Sequence, residues 1–191
     1  MRVLLLLGIV TSIAAAQQNR VRAGEEPPLP TRGEIHVHSD PMLVRSLSEL
    51  CARADAIVEG VVETDASRLM SRPSPVETDF WIAINRVLKG SIDTSKLVAS
   101  QMGGTYGELH LLTNYPMLHT GQHYFLFLNT EKRPGVPAVS GLPRYRAETF
   151  YGAFIVDNGR LRSVFDDPFQ GTYTGMTPDE FAAEIAAKLK R

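Results

Sequence analysis

The residues of this chain best suited to chemistry are two histidines and an aspartate in the segment His36-Val37-His38-Ser39-Asp40. Side chains two positions apart point to the same side of an extended chain, so His36 and His38 can face a common ligand. With the carboxylate of Asp40 they would supply three ligands to a divalent metal such as zinc. The alternative is a solvated polar tether, because the Pro-rich neighbourhood offers few groups to orient the imidazoles.

A second group of residues combines positive charge with an aromatic ring. Arg133, Arg144, Tyr145 and Arg146 lie in residues 131–146, a stretch rich in proline and glycine that we interpret as a long surface loop. Loops often carry binding residues, and aromatic rings beside basic groups can hold sugars or nucleic acid. We predict that these four residues form a binding surface, with a solvated loop as the alternative.

The remaining motifs do not predict catalysis. Residues 103–107 are rich in glycine but lack the Lys-Ser/Thr of a phosphate loop and do not open a predicted helix. Ser140 lacks the second glycine of a nucleophile elbow. His110, His119 and His123 are scattered through the strand region, where a lone histidine is usually a surface or hydrogen-bonded residue. The sequence therefore predicts no catalytic residue.

The amino-terminal residues 1–16 predict the compartment. Arg2 precedes an apolar run, and Ala14 and Ala16 precede Gln17, which is the layout of a secretory signal peptide cleaved between Ala16 and Gln17. The apolar run is shorter than the about 20 residues that span a bilayer, and no later segment is long and apolar enough. We therefore predict a secreted or periplasmic protein that is not an integral membrane protein.

The single cysteine, Cys51, excludes an intramolecular disulfide. Ser46 and Glu49 have the spacing of a capping box, which predicts a short helix from there to about Arg53. Cys51 lies on the apolar stripe of that helix, so we expect a buried small side chain and not a reactive thiol.

The rest of the chain indicates strands and a final helix. Residues 17–43 are polar and Pro-rich and form a flexible or extended lead-in, and residues 44–191 form a single domain. Gly60 interrupts the first apolar run as a bulge or bend, and Asn158-Gly159 predicts a type I′ hairpin. Thr177 opens a helix with one apolar face. Apolar or alternating runs predict strands at 56–62, 76–88, 97–102, 109–112 and 123–128.

These elements predict a mainly β protein, a small OB-like antiparallel β-barrel with a short N-terminal helix and a C-terminal amphipathic helix. The order of residues 54–62, 86–90 and 121–128 resembles that of secreted bacterial proteins related to the netrin-like domain, over roughly residues 50–165. The resemblance implies the OB-type barrel also found in tissue inhibitors of metalloproteinases. It does not imply their inhibition, because those proteins begin with a zinc-chelating cysteine and contain disulfides, whereas Gln17 would begin the mature chain here.

We therefore expect an exported, non-catalytic binding or interaction module for an extracytoplasmic protein or glycan. The net charge of −1 at pH 7 gives no support for a nucleic-acid partner. One alternative is a metal-dependent secreted hydrolase that uses His36 and His38, and another is a structural envelope protein. No cofactor is predicted apart from zinc or another divalent metal in the hydrolase alternative.

Overall fold

The structure is a computed structural model that describes residues 32–38, 44–70, 75–133, 136, 139, 141–147, 152–165 and 168–190. The predicted signal peptide, with its cleavage site before Gln17, lies outside the described residues. The elements are β1 (Arg32–Val37), α1 (Leu47–Arg53), β2 (Ala56–Leu69), β3 (Val76–Lys89), β4 (Lys96–Met102), β5 (Gly104–Tyr106), β6 (Glu108–Thr113), β7 (His123–Thr130), β8 (Arg144–Ala147), β9 (Ala153–Asp157), β10 (Arg160–Ser163), α2 (Pro168–Gly171) and α3 (Pro178–Leu189).

Five strands close into a barrel in the order β2-β3-β4-β8-β7, and β7 pairs again with β2. Four of these pairings are antiparallel and β4–β8 is parallel. An odd number of strands cannot alternate in direction around a closed ring, so one parallel pair is unavoidable. The predicted mainly β fold with a small barrel is confirmed, and the barrel is compatible with an OB-like one.

Alternation along the strands fills the inside of the barrel with apolar side chains. Val58, Phe80, Ile82, Leu97 and Leu126 belong to one core cluster and are at most 2 % exposed. Burial of this many side chains from all sides of the ring is the main favourable term that holds the strands together. The next residues along the same strands point outward and form separate contacts.

The bulge predicted at Gly60 is confirmed. The register of β2 against β3 shifts between Glu59 and Gly60. A Cβ on residue 60 would overlap the Ala83 carbonyl oxygen and lie 2.8 Å from the Ile82 Cγ2, so only glycine fits at this crossing of the two strands. The bulge bends the hairpin that the two 14-residue strands β2 and β3 form. The first half of β2 pairs with β7 and closes the barrel, and its second half continues beyond His123, the first residue of β7.

A second core lies between the outer face of β2 and β7 and the helices. Phe181 of α3 is 0 % exposed, and its ring lies 5.1 Å from that of Phe125 and 4.8 Å from that of Phe154. α3 begins after Thr177, as predicted, and Thr177 and Glu180 form a capping box there. Cys51 of α1 is free and 1 % exposed in this core, and burial raises the pKa of its thiol. The predicted C-terminal amphipathic helix therefore packs with its apolar face on the outside of the barrel.

Local turn chemistry also agrees with the sequence. Asn158 and Gly159 have φ of 50° and 71° and join β9 to β10, as a type I′ hairpin requires. Within the described residues, the longest helix has 12 residues, and none has the length and apolar character needed to cross a membrane.

Besides β5 (Gly104–Tyr106), two further short strands were not predicted. Residues 32–37, inside the predicted lead-in, form β1 and pair in parallel with β6, in a three-stranded sheet of order β1-β6-β5. The interpretation of residues 131–146 as loop throughout is wrong, because Arg144–Ala147 form β8 and complete the barrel. Both strands are short and polar, and their pairing depends on partner edges that are supplied from far away in the chain.

Candidate functional site

A cleft of about 430 Å³ opens at the end of the barrel where β4 ends and β7 begins. Its floor includes Phe80 and Leu118, which belong to the core cluster inside the barrel. Its rim is polar and comes from the far half of β2, the start of β3, the short β5 and the segment that leads into β7. The polar side chains of the rim are Asp65, Ser67, Thr78, Thr105, His119 and Thr120.

Hydrogen bonds connect the rim hydroxyls into short chains. Thr78 Oγ1 donates to the Gly103 carbonyl oxygen at 2.7 Å, and it lies 2.9 Å from Ser67 Oγ. On the opposite side, Thr120 Oγ1 donates to Asp65 Oδ1 at 2.6 Å. These bonds hold the side chains of β2 and β3 in defined positions around the opening.

The wall that precedes β7 is anchored to the barrel at several points. The backbone of Val62 exchanges hydrogen bonds with Gly121 and Gln122, at 2.7 and 3.1 Å. The Leu118 N–H donates to Gln101 Oε1 at 2.9 Å, and the His119 N–H donates to Tyr124 Oη at 3.2 Å. The cleft is therefore a largely preformed site, as small-ligand pockets usually are.

Nearby, the buried Tyr115 fixes the end of β4. Its hydroxyl donates to the Met102 carbonyl oxygen at 2.9 Å. Burial raises the pKa of Tyr115 to about 12, with smaller opposing contributions from Thr113 and from the charge of Arg146. The phenol thus keeps its proton at neutral pH and acts as a structural donor.

The residues predicted as a basic binding surface lie elsewhere, and two of them are part of an ion network. We call this set the outer-face network: Arg68, Glu77, Asp79, Ser100, Glu131, Arg133 and Arg144. Arg144 Nη2 donates to Asp79 Oδ2 at 2.8 Å, and both side chains are less than 10 % exposed. Arg133 pairs with Glu77 and Glu131. The charges of Arg133 and Arg144 are therefore already neutralised within the chain.

The pKa values in this network follow from its pairing. Burial alone would raise the pKa of Glu131, but hydrogen bonds from Arg133 and its charge outweigh burial and lower the pKa. The same hydrogen bonds, with those to Glu77, raise the pKa of Arg133. Tyr145 and Arg146 complete β8, where Tyr145 is partly buried and Arg146 is exposed. Burial, followed by the charge of Asp55, raises the pKa of the Tyr145 phenol.

The predicted metal ligands His36 and His38 are exposed on or just after β1, and Asp40 lies outside the described residues. His36 Nε2 lies 3.6 Å from Glu34 Oε2. The register of β1 against β6 places His110 opposite Glu34. In the part of the chain that the structure describes, no three His, Cys, Asp or Glu side chains form a group that could hold a metal ion. The metal site with Asp40 stays a prediction.

The two remaining histidines are at separate places. His119 stands on the rim of the cleft. His123 Nε2 lies 3.1 Å from Glu59 Oε1, and Arg86 joins the same carboxylate to Asp179 at the start of α3. His110 Nδ1 lies 3.0 Å from Thr105 Oγ1, and no three histidines of the described residues form a group that could hold a metal ion.

Sequence reasoning missed the cleft because its residues are ordinary hydroxyl and glycine positions. The strand predicted over residues 56–62 stops short of the cleft, whereas β2 continues to Leu69 and carries Asp65 and Ser67. The available signal was the pair Gly103-Gly104, whose φ values are 119° and 114°. Such a pair indicates a place where backbone comes close to other groups.

The chain matches no protein-family model, and no curated protein matches it. Its function must therefore be inferred from the geometry of the fold and of the cleft.

Proposed function

We propose that this chain is an exported, non-catalytic binding module that holds its ligand in the cleft at the end of the barrel. The observation that carries the proposal is a preformed opening of about 430 Å³ with an apolar floor and a polar rim. Concave sites that combine an apolar floor with a few oriented polar groups are the usual form of ligand sites. The ends of small β-barrels are common places for them.

The arrangement of the rim favours binding over catalysis. Acyl transfer by a serine requires a base within hydrogen-bond reach of the hydroxyl. Ser67, the serine of the rim, bonds to the Thr78 hydroxyl, which is not a base. Two rim threonines do have a basic group within reach, since Thr120 bonds to Asp65 and Thr105 Oγ1 lies 3.0 Å from His110 Nδ1. The preference for binding therefore rests on the rim serine, which has no base beside it among the described residues.

The outer-face network supports the choice of the cleft over the basic surface. A ligand that uses Arg144 would have to displace Asp79, whose two oxygens accept from Arg144 at 2.9 and 2.8 Å. Breaking a buried ion pair costs several kcal/mol, about 3–5, and a ligand would have to restore that amount before it gained affinity.

Export is part of the proposal and rests on the leader. If residues 1–16 are a signal peptide, the mature chain begins at Gln17 and reaches an extracytoplasmic partner, a glycan or a protein. Amino-terminal sequencing of the protein recovered from the periplasm or medium should give Gln17. A mature chain that keeps Met1 and stays in the cytoplasm would exclude export.

The relation to netrin-like proteins is also a proposal. The closed five-stranded barrel with a helix packed on its outside supports it. The chain should superpose on netrin-like barrels over all five strands with the same strand order. A different order of the last two barrel strands would contradict the relation.

Ligand binding can be tested by NMR with a panel of soluble sugars and short peptides of the kind found outside the cytoplasm. We expect amide shifts at Gly104, Thr105 and Thr120 that Ser67→Ala weakens. The matched control Ser91→Ala changes a serine in the exposed turn at the opposite end of β3 and should have no effect. Shifts confined to Arg144–Ala147, or none at the cleft with any compound, would overturn the proposal.

A further inference from the structure

The hydrogen-bond directions in the cleft determine which kind of group it can bind. A hydroxyl can donate one hydrogen bond, and Thr78 Oγ1 donates that bond to the Gly103 carbonyl oxygen at 2.7 Å. The 2.9 Å bond between Ser67 and Thr78 must therefore be donated by Ser67. This leaves Ser67 Oγ with lone pairs and no free proton. Ser67 can only accept a further hydrogen bond.

The other side of the rim has the same polarity. Thr120 Oγ1 donates its hydrogen bond to Asp65 Oδ1 at 2.6 Å, so the Thr120 oxygen has only lone pairs left for a ligand. An ionised carboxylate accepts hydrogen bonds and donates none. The second oxygen of Asp65, Oδ2, has no hydrogen-bond partner among the described residues, and the residue is exposed. Three acceptors thus face one opening.

The packing of Gly104 keeps this arrangement in place. A Cβ on residue 104 would overlap Thr78 Oγ1 and lie 2.7 Å from Ser67 Oγ, and the φ of 114° also favours glycine. The backbone of β5 therefore lies directly against the two hydroxyls. Their rotation is restricted, so the bond directions are a property of the fold and not of one side-chain conformer.

The charge around the opening has one sign. Asp65 is the carboxylate of the rim and His119 is its only other titratable side chain among the described lining residues. None of those lining residues is lysine or arginine. An anionic ligand would meet a carboxylate without a compensating cation, which disfavours it.

We propose, on the basis of the proposed binding function, that the ligand presents a primary ammonium group to Asp65, Ser67 and Thr120. An ammonium has three donors and no acceptor, which matches the three acceptors Asp65, Ser67 and Thr120; the donors of the rim are the side chains of Thr105 and His119. A neutral hydroxyl could donate one bond, but its own lone pairs would find no donor in these three side chains. The ammonium can belong to an amino sugar or to a lysine side chain.

The test is an NMR titration of the full chain with glucosamine and, separately, with the amide of Nα-acetyl-lysine. N-acetylglucosamine, which has the same ring without the charge, is the matched control compound. We expect at least one of the two amines to shift Gly104, Thr105 and Thr120, and the stronger one identifies the carrier. Asp65→Asn should weaken its binding about 10-fold, as expected for loss of a charged hydrogen bond. The control Asp93→Asn, in the exposed turn at the other end of β3, should leave it unchanged.

The outcomes separate this inference from the function on which it rests. The proposed recognition of an ammonium group would be overturned if glucosamine and N-acetylglucosamine bound equally. Equal affinity of Asp65→Asn and the unmodified chain would overturn it too, and either result would leave a cleft that binds neutral groups. Binding of an acidic compound at the same amides would overturn it as well. If no compound of any charge shifts the cleft residues, both proposals are wrong.

Discussion

Loss of the Asp79 carboxylate should destabilise the protein strongly, because this group holds the closing strand of the barrel. Asp79 on β3 accepts from Ser100 Oγ on β4 at 2.7 Å and from Arg144 on β8 at 2.9 and 2.8 Å. It also accepts from Arg68 Nε on β2 at 3.0 Å. One carboxylate therefore connects four strands of the barrel.

The magnitude follows from what Asp79→Ala leaves behind. Arg68 is 18 % exposed and keeps Glu77 as a partner. Arg144 is 9 % exposed and would keep Ser100 alone, and its Nε already has no hydrogen-bond partner among the described residues. Leaving one buried charge uncompensated costs about 3–5 kcal/mol. Because domains are stable by about 5–15 kcal/mol, this is a large fraction of the free energy of unfolding.

Urea unfolding followed by the fluorescence of Trp81, the single tryptophan, measures this change. With a slope of about 2 kcal/mol per M, the midpoint of Asp79→Ala should fall by about 1.5–2.5 M. The matched control is Glu63→Ala, which removes an ion pair with Lys96 of similar length, 2.6 Å, but with both side chains at least 40 % exposed. That change should cost about 0–1 kcal/mol.

The double variant Asp79→Ala with Arg144→Met removes both members of the pair and should recover part of the loss. Equal losses for Asp79→Ala and Glu63→Ala would contradict a cost that arises from burial. Additive losses in the double variant would show that Asp79 and Arg144 do not depend on each other, and would return Arg144 to the candidates for ligand binding.

Four further predictions concern the core, the bulge, pH and metal. The Cys51 thiol should react slowly with a thiol reagent in the native protein and quickly in urea, because burial protects it and raises its pKa. Gly60→Ala should cost about 1–3 kcal/mol through overlap with strand β3, whereas Gly171→Ala, with nothing within 4 Å, should be neutral in the same unfolding assay. Glu131→Gln should lower stability above pH 4.5, the ordinary pKa of the carboxyl; the difference from the unmodified chain should vanish as the pH falls through the lowered pKa of Glu131, measured by unfolding at several pH values. Under the proposed non-catalytic binding function, added zinc should leave the melting temperature unchanged, whereas the hydrolase alternative that uses His36 and His38 requires a rise.

Each of these has a clear contrary result. Rapid native labelling would place Cys51 at the surface. Equal effects of the two glycine substitutions would remove the steric explanation of the bulge. A Glu131→Gln difference that persists below the lowered pKa would mean that the carboxylate charge is not its source. A zinc-dependent rise in melting temperature that His36→Ala abolishes would favour the metal-dependent alternative.

Elements whose cause is local were predictable from the sequence. The apolar run of β7 is buried on both faces, because Phe125 faces the helices and Leu126 faces the inside of the barrel. The Asn158-Gly159 turn and the Thr177 cap depend on the chemistry of a few adjacent residues. Those patterns were sufficient to predict a small barrel with a C-terminal amphipathic helix.

The candidate site was predicted much less well, because its residues lack a local signature. Arg133 and Arg144 are residue types typical of a basic binding surface, and only their distances to Glu77 and Asp79 reveal the ion pairs that they form. Ser67 and Thr120 are 53 positions apart in the numbering and line one opening, because β2 continues beyond its pairing with β7, which starts opposite Val61.

By itself, the amino-acid sequence determined the strands with strong apolar alternation, the turns and the helix caps, since these depend on neighbours within a few positions. The tertiary structure alone decided the pairing of β8 between β4 and β7, the neutralisation of the basic residues and the direction of each hydrogen bond in the cleft. The physical reason is that these features are set by groups brought together from distant parts of the chain. A hydroxyl can only accept further hydrogen bonds once its own hydrogen is already donated within the fold. Thr78 donates to the Gly103 carbonyl oxygen, and Ser67 therefore donates to Thr78.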